Sequence, residues 1–384
     1  MDDQNYIHRR APISETLKTK SVLLLGPRRT GKSSFIRHEV QADHVYNLLN
    51  SVTFRELAVR PSLIRERIKT NRPLIVIDEI QKLPHLLDEV HLMIEEQGAR
   101  FLLTGSSARK LRRSYTSLMA GRARRHYLFP FTCLELGHRF DLSRTLLYGS
   151  LPSVYLSENP KDELKSYVGD YLKEEILAEA LSRNIESFAR FLETAAVSNG
   201  EILNFEKIGL DAQVPSRTIR EYYSILEDTL IGTSVHPFRV KKSRKTVSKS
   251  KFFFFDLGVL NSLLGRKAVS PKTPEFGNLF ESWVFLELKA YLEYKKRDDS
   301  LSFWRTQTGE EVDFILGDQV AIEVKSTNLI NESHLSGLKA IEKEHQFKRK
   351  ILISQDSHSR RVGDIEIFPY LLFIEKLWAG EILA

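Results

Sequence analysis

The sequence predicts an α/β protein in three parts. These are a nucleotide-binding module with a parallel sheet between helices, a helical and winged-helix region, and a second α/β module. Three observations predict this. The stretch SVLLLGPRRTGKSSFIRH reads as strand, loop and helix start, and its loop is G-x-x-x-x-G-K-S from Gly26 to Ser33. Strands expected near residues 21–26, 44–49, 74–78, 100–104 and 124–129 alternate with helical segments. Near the other end, EVDFILGDQVAIEVKST sets acids inside two short apolar strands. The expected boundaries are 1–150, 151–265 and 266–384.

The bulk properties bound the partners. The chain has 384 residues, 42% hydrophobic and 28% charged, which suits several soluble domains. No apolar run approaches a membrane span, so no membrane partner is expected. The start MDDQNYIHRR is acidic and lacks an apolar stretch, which predicts no secretory signal. The single cysteine, Cys133, fits a reducing cytoplasm. The formal net charge of +7 suits a polyanion. Two acid-free clusters carry much of the basic charge. One holds Arg109, Lys110, Arg112, Arg113, Arg122, Arg124 and Arg125; the other holds Arg239, Lys241, Lys242, Arg244, Lys245, Lys249 and Lys251. Such clusters favour contact with a phosphate backbone over two merely solvated loops.

The first module carries the parts of a nucleotide site in order. The loop and helix start, Gly26, Pro27, Arg28, Arg29, Thr30, Gly31, Lys32, Ser33 and Ser34, would cradle the phosphates of ATP with backbone N–H groups. Lys32 would reach the outer phosphates and Ser33 would hold Mg²⁺. PLIVIDEIQ is an apolar strand ending in Asp78 and Glu79. Asp78 suits the Mg²⁺, and Glu79 can polarise the attacking water, which favours hydrolysis over holding. RFLLTGSSA ends in Thr104 and Ser106, hydroxyls placed to sense the γ-phosphate. The bland alternative, that the acids only cap the next helix, leaves the ordered succession of motifs unexplained.

The middle reads as helical from about 150 to 200 and then as a helix-turn-helix. The turn holds Val214 and Pro215, and Ser216 is a natural N-cap for the second helix. Ile219, Tyr222, Tyr223, Leu226 and Leu230 recur at helical spacing and read as core. Arg217 and Arg220 would lie on the outer side, where a recognition helix meets DNA. RVKKSRKTVSKSK then fits a wing between two strands, the second being FFFFDLGV. Such a module either grips duplex or packs against protein.

The last module places Glu281 on a helix, Asp313 on one strand, and Glu323 with Lys325 on the next. Residues two apart on a strand share a face, so Glu323 and Lys325 point together. Asp313 can converge with Glu323 on one Mg²⁺, Lys325 can steady a water or the developing charge, and Glu281 would add a ligand or a supporting hydrogen bond. Gln307, after the first strand, is an optional extra polar group. E-x-K alone is weak, because a glutamate and lysine at alternate positions also make ordinary surface pairs. Charges inside apolar strands are costly unless compensated, which favours a site.

GPRRTGKSS, LIVIDEIQKLP, FLLTGSSARKL and LMAGRARRHYLFPFTCLEL together resemble a prokaryotic family of AAA-type P-loop ATPases with a C-terminal domain of unknown function. The resemblance runs along nearly the whole chain. It implies an AAA-type domain and makes Arg122 a candidate arginine finger acting on a neighbouring subunit of a homo-oligomer. The alternative is a phosphate- or DNA-facing arginine. The residues Glu281, Asp313, Glu323 and Lys325 resemble the pattern of the PD-(D/E)xK restriction-endonuclease-like fold. The expected whole is a cytoplasmic ATPase that binds DNA and cuts it with Mg²⁺, in DNA repair or defence against foreign DNA. The competing expectation is an ATP-switched DNA-binding adaptor or regulatory ATPase with an inactive nuclease fold.

Overall fold

The computed structural model describes residues 6–106, 121–172, 185–239 and 246–383. Five strands form the first sheet: β1 (Ser21–Leu25), β2 (His44–Asn47), β3 (Leu74–Asp78), β4 (Arg100–Gly105) and β5 (Ala123–Tyr127). Their order is β2-β3-β4-β1-β5, and every pairing is parallel. Alternate residues serve opposite faces. Leu23, Leu25, Ile75, Ile77, Phe101 and Leu103 pack on one side. Val22, Leu24, Val76 and Leu102 pack on the other. The three central strands, β1, β3 and β4, are apolar on both faces because helices cover both, as expected for a parallel sheet, while the edge strands β2 and β5 are partly exposed. The order puts β4 between β1 and β3, so the loop after β1, the acid ending β3 and the hydroxyl of β4 meet at the carboxyl edge.

The middle region contains helices Pro152–Tyr155, Pro160–Ser166 and Ile185–Val197. The expected helix-turn-helix is present as Phe205–Ala212 and Ser216–Asp228. Ile219, Tyr222, Tyr223 and Leu226 are buried, as their spacing requires. The cap differs from expectation: Pro215 occupies the N-cap position, Ser216 is the first helical residue, and no side chain caps the helix.

The two strands that flank the expected wing are present. Strands β6 (Gly232–Pro237) and β7 (Lys251–Phe254) pair antiparallel, and β6 also pairs parallel with β8 (Leu301–Arg305). The second sheet therefore has eight strands, in the order β12-β13-β11-β10-β9-β8-β6-β7. The remaining members are β9 (Glu311–Leu316), β10 (Val320–Val324), β11 (Arg349–Ser354), β12 (Arg360–Val362) and β13 (Ile365–Pro369). The physical reason lies in the aromatic run: Phe252, Phe253 and Phe254 are all buried, so β7 needs cover on both faces. The expected basic residues Lys241, Lys242, Arg244 and Lys245 lie outside the described residues, as do Arg109, Lys110, Arg112 and Arg113.

A helix of 21 residues, Pro274–Tyr294, runs between the two sheets' territories. Thr273 caps it by accepting from Phe276 N, and Pro274 takes the first helical position, where no backbone donor is needed. Phe280, Trp283, Val284, Phe285 and Leu288 join a single apolar core with Val22 and Leu24 of the first sheet and with Ile322 and Val324 of the second. A second core lies on the far face of the last sheet, where Ile315, Ala321 and Leu352 meet Leu338 and Ile341 of helix Ser336–Ile341. The closing helix, Tyr370–Ala379, packs Phe373, Ile374 and Leu377 into the shared core. No helix among the described residues is long and apolar enough to cross a membrane.

Glu287 sits mid-helix in this core and accepts Cys133 N at 2.6 Å. Burial pushes its carboxyl up to about 8, so the folded chain holds a proton that the unfolded chain releases near 4.5. Burial likewise pushes Glu281 up to about 7. A folded state that binds more protons than the unfolded one loses stability as pH rises. His126, lowered by burial to about 4 from 6.5, acts in the opposite sense but only below pH 6.5. Thermal melts of the chain are expected to fall between pH 6.5 and 8, at roughly 1 kcal/mol per pH unit. Glu287→Gln is expected to flatten much of that slope. An unchanged slope would mean that Glu287 is ionised in the native state.

Candidate functional site

At the carboxyl edge of the first sheet the loop Gly26–Gly31 turns into helix Lys32–Glu39. Gly31 takes φ +92°, a left-handed conformation that side chains rarely adopt. Lys32 Nζ donates to the loop carbonyls of Gly26 at 2.7 Å and Pro27 at 3.0 Å. Thr30 Oγ1 also donates to Pro27 O, at 2.9 Å. The Lys32 ammonium thus lies within the curl of the loop. Ser33 Oγ donates to Asp78 Oδ2 at 2.9 Å, which brings together the hydroxyl and acid expected to hold Mg²⁺. Two adjacent hard oxygen donors fit that ion, which keeps most of its waters.

Thr104 joins the acid pair. Its buried hydroxyl donates to Asp78 Oδ1 and accepts Glu79 N at 3.2 Å. It thereby helps to position Asp78 and Glu79. Glu79 adopts φ 62°, so the chain turns sharply and lifts its carboxylate off the strand. The Gln81 amide donates to Glu79 Oε2, and also to Ser106 Oγ at 3.2 Å. Ser34 lies in the first turn of the following helix, and Arg28 is half-buried in the loop. Arg29 turns away to an ion pair with Glu163, at 2.7 Å.

Arg122 immediately precedes β5, whose first residue, Ala123, pairs with Ser21 at the start of β1. It therefore lies at the edge of the sheet opposite its own phosphate loop. There it pairs with Glu95 and, through that hydrogen bond, holds the Glu95 carboxyl below its usual range.

Sequence reasoning missed Arg9. Its buried guanidinium donates to Thr30 O at 2.7 Å, Phe129 O at 2.6 Å, Glu135 Oε1 at 3.2 Å and Tyr294 Oη at 3.4 Å. One side chain thereby fastens the phosphate loop, the segment after β5 and the end of the long helix. Five N–H donors in a rigid fork make arginine suited to such a hub. Only the apolar surroundings of IHRRAPI, near the start, hint at it.

The second site lies where β9 and β10 part. Their backbone pairing ends at Ile322 opposite Phe314. Asp313 and Glu323 follow as the next residues of each strand. The Asp313 carboxylate accepts Val324 N at 2.8 Å, replacing the ladder with a side chain. Lys325 Nζ lies 2.5 Å from Glu323 Oε1 and 4.0 Å from Asp313 Oδ2. The other Glu323 oxygen, Oε2, is buried without a hydrogen-bond partner. Burial, with Asp313 nearby, raises the Glu323 carboxyl well above its ordinary range. Burial disfavours the Lys325 ammonium, but Asp313 and Glu323 outweigh it and raise its pKa. Gly337 makes the site tight. A Cβ there would lie 1.8 Å from Glu311 O, so only glycine lets helix Ser336–Ile341 press on β9.

Glu281 reaches this cluster from the long helix, but Lys251 claims it. The buried Lys251 ammonium lies 3.1 Å from Glu281 and 2.6 Å from Glu311. Among the described residues, no group of three or more His, Cys, Asp or Glu is disposed to hold a metal ion, so Glu281 does not complete a ligand trio. Asp313 and Glu323 alone, with one orphaned oxygen, fit an ion that keeps its waters. Gln307 is exposed in the turn between β8 and β9. Lys251 was counted as a wing cation; the missed signal was a lysine opening the buried strand KFFF.

The family model described as "AAA domain" matches residues 18–137. This part of the chain is an AAA-type P-loop domain. Two further models match, both described as domains of unknown function: DUF8612 over residues 139–270 and DUF4143 over residues 276–373. An uncharacterized protein of Haemophilus influenzae is 23% identical over 356 residues, covering 84% of this chain and 86% of its own. Among solved structures, a DNA polymerase III gamma subunit-related protein from Thermotoga maritima is 12% identical, covering 71% of this chain and 96% of its own, with a TM-score of 0.24. Can2 from Sulfobacillus thermosulfidooxidans, in complex with cyclic tetra-adenylate, is 11% identical, covering 95% and 100%, with a TM-score of 0.23. Scores this low carry no argument about this chain.

The AAA domain's geometry separates binding from turnover. Lys32→Ala is expected to lower ATP turnover by roughly 100-fold and to weaken nucleotide binding. Glu79→Gln is expected to lose turnover to a similar extent while binding ATP as the wild type does. Phosphate release and calorimetric titration measure the two. Full turnover in Glu79→Gln would remove that residue from the reaction.

Proposed function

We propose that the chain is an ATP-hydrolysing, DNA-binding protein whose C-terminal module is a Mg²⁺-dependent nuclease. One observation carries the nuclease reading: Asp313, Glu323 and Lys325 meet at the fork of two strands, with a buried carboxylate oxygen left unpartnered. The element order supports it. The helix Pro274–Tyr294 is followed by β8, β9, β10, the helix Ser336–Ile341 and β11, which lies parallel to β10. This order is similar to the core of the PD-(D/E)xK restriction-endonuclease-like fold.

When bound at Asp313 and Glu323, Mg²⁺ would supply an acidified water and charge neutralisation at a phosphodiester. The protein's own residues do the positioning. Asp313 is fixed by Val324 N, and Lys325 is fixed by Glu323 with its ammonium retained. A lysine so held can steady the negative charge that develops on the phosphate. Exposed cations on nearby elements suit a polyanion: Arg217 and Arg220 on the second helix of the helix-turn-helix, and Arg239 and Lys249 beside β6 and β7. In a homo-oligomer Arg122 would act on a neighbour's nucleotide, since its own lies at the opposite sheet edge. DNA repair or defence against foreign DNA, in the cytoplasm, is the setting that this pairing of activities suits.

One observation favours a second reading. Lys251 supplies a built-in counter-ion to Glu281 and Glu311 beside the acid pair. A cluster neutralised from within could serve an ATP-switched DNA-binding adaptor, with no cutting.

A single assay separates the two. Labelled duplex DNA, single-stranded DNA and RNA would be incubated with Mg²⁺, with and without ATP. The proposal expects cleavage by the wild type, abolition by chelation, and at least about a 100-fold loss in Lys325→Ala. Lys32→Ala reports whether ATP drives the cutting. Intact nucleic acid alongside normal ATP turnover and DNA binding would leave the adaptor.

A further inference from the structure

A cavity of about 440 Å³ lies between the AAA domain and the eight-stranded sheet. That volume falls within the roughly 300–1,000 Å³ of small-molecule sites, which favour domain junctions and mostly apolar walls. The rings of Phe129, Phe253, Phe255 and Phe285 form much of its lining. Lys289, from the long helix, is its central cation. The ammonium donates to Thr233 Oγ1 and lies 5.7 Å from the Phe129 ring centre and 6.0 Å from that of Phe285.

The other charged groups at the cavity have work elsewhere. Arg297 donates to Asp299 at 2.8 Å, and Glu227 accepts Ser234 N at 3.0 Å. Glu293 accepts from the Tyr127 backbone and is shared among Lys289, Arg125 and Lys296. Glu293 and Glu227 act on Lys289 only at longer range, and burial outweighs them, lowering its pKa to about 8. A lysine in an aromatic cavity with a neutral threonine as its contact is under-compensated. A carboxylate reaching it would gain a charge-assisted hydrogen bond in a low-dielectric setting.

We propose that this cavity binds a small, flat, aromatic monoanion, its ring between the phenylalanines and its carboxylate or equivalent acid on Lys289. Phosphate-rich ligands are disfavoured, since Lys289 is the cation set against the aromatic rings and one negative charge suffices to answer it. The site is separate from the nucleotide cradle, where Lys32 lies, although Gly26 and Pro27 form part of its wall.

The probe is 2-naphthoate, titrated into the full-length chain and followed by calorimetry and by quenching of its fluorescence. Saturable binding with one molecule per chain is expected. Its neutral isostere, 2-naphthamide, is expected to bind wild type at least tenfold more weakly, which tests the charge without any mutation. Lys289→Met should match that loss for 2-naphthoate while leaving 2-naphthamide unaffected, and Lys289→Arg should restore 2-naphthoate. Ser234→Phe, which fills the cavity, should abolish both. Absence of saturable binding, or equal affinity for acid and amide, would overturn the proposal. So would unchanged 2-naphthoate affinity in Lys289→Met. Displacement of 2-naphthoate by ATP with Mg²⁺ would overturn the claim of a separate site.

Discussion

The helix Pro274–Tyr294 is the member on which the rest of the molecule depends. Its last residue, Tyr294, holds Phe129 N at 3.2 Å and meets Arg9, which grips the phosphate loop. Its middle carries Glu287, bound to Cys133. Near its start, Glu281 meets Lys251 and the acid cluster. Glu281 and Tyr294 are thirteen positions apart in the sequence, which on an α-helix spans about 20 Å. The phosphate loop and the acid cluster are thus attached to one rod. Its apolar residues bury against both sheets, so neither module has an independent core on that side. Rigid-body movement of one against the other would expose aromatic surface, which is strongly unfavourable.

The same helix explains why buried acids are tolerated. Glu281 is answered by Lys251, and Glu287 by a backbone N–H and by keeping its proton. Each is held by contacts that only the assembled molecule provides. Breaking one partner would leave a buried polar group exposed to its full desolvation penalty. Polar residues along the rod therefore act as registry points between modules whose packing is otherwise apolar and non-directional.

Local chemistry was legible in the sequence wherever it depends on near neighbours. Gly26 to Ser33, Asp78 with Glu79, and Glu323 with Lys325 each declare themselves within a few residues. The five parallel strands could be placed because the central ones are apolar runs and strands and helices alternate along the chain. What could not be read depends on distant pairing. Nothing local in GTSVHP shows that His236 and Pro237 lie beside Ser302 and Phe303, and so the joining of β6 to the last sheet was not foreseen. Lys251 looked like one more basic residue in a basic run, yet it is buried between Glu281 and Glu311. Thr104 has the right residue type at the right strand end, but its orientation is set by Asp78 across the sheet. Arg9 precedes every motif, and its partners come from three separated parts of the chain.

The hub at Arg9 carries a thermodynamic obligation. Its fork binds Thr30 O in the phosphate loop and Tyr294 on the rod, so a nucleotide that reshapes the loop also alters the hold on the rod. Linkage is symmetric in binding free energy. Whatever factor ATP imposes on affinity at the far end of the helix, an occupant of the far end must impose on ATP. The fastening that stiffens the molecule also makes each end a gauge of the other.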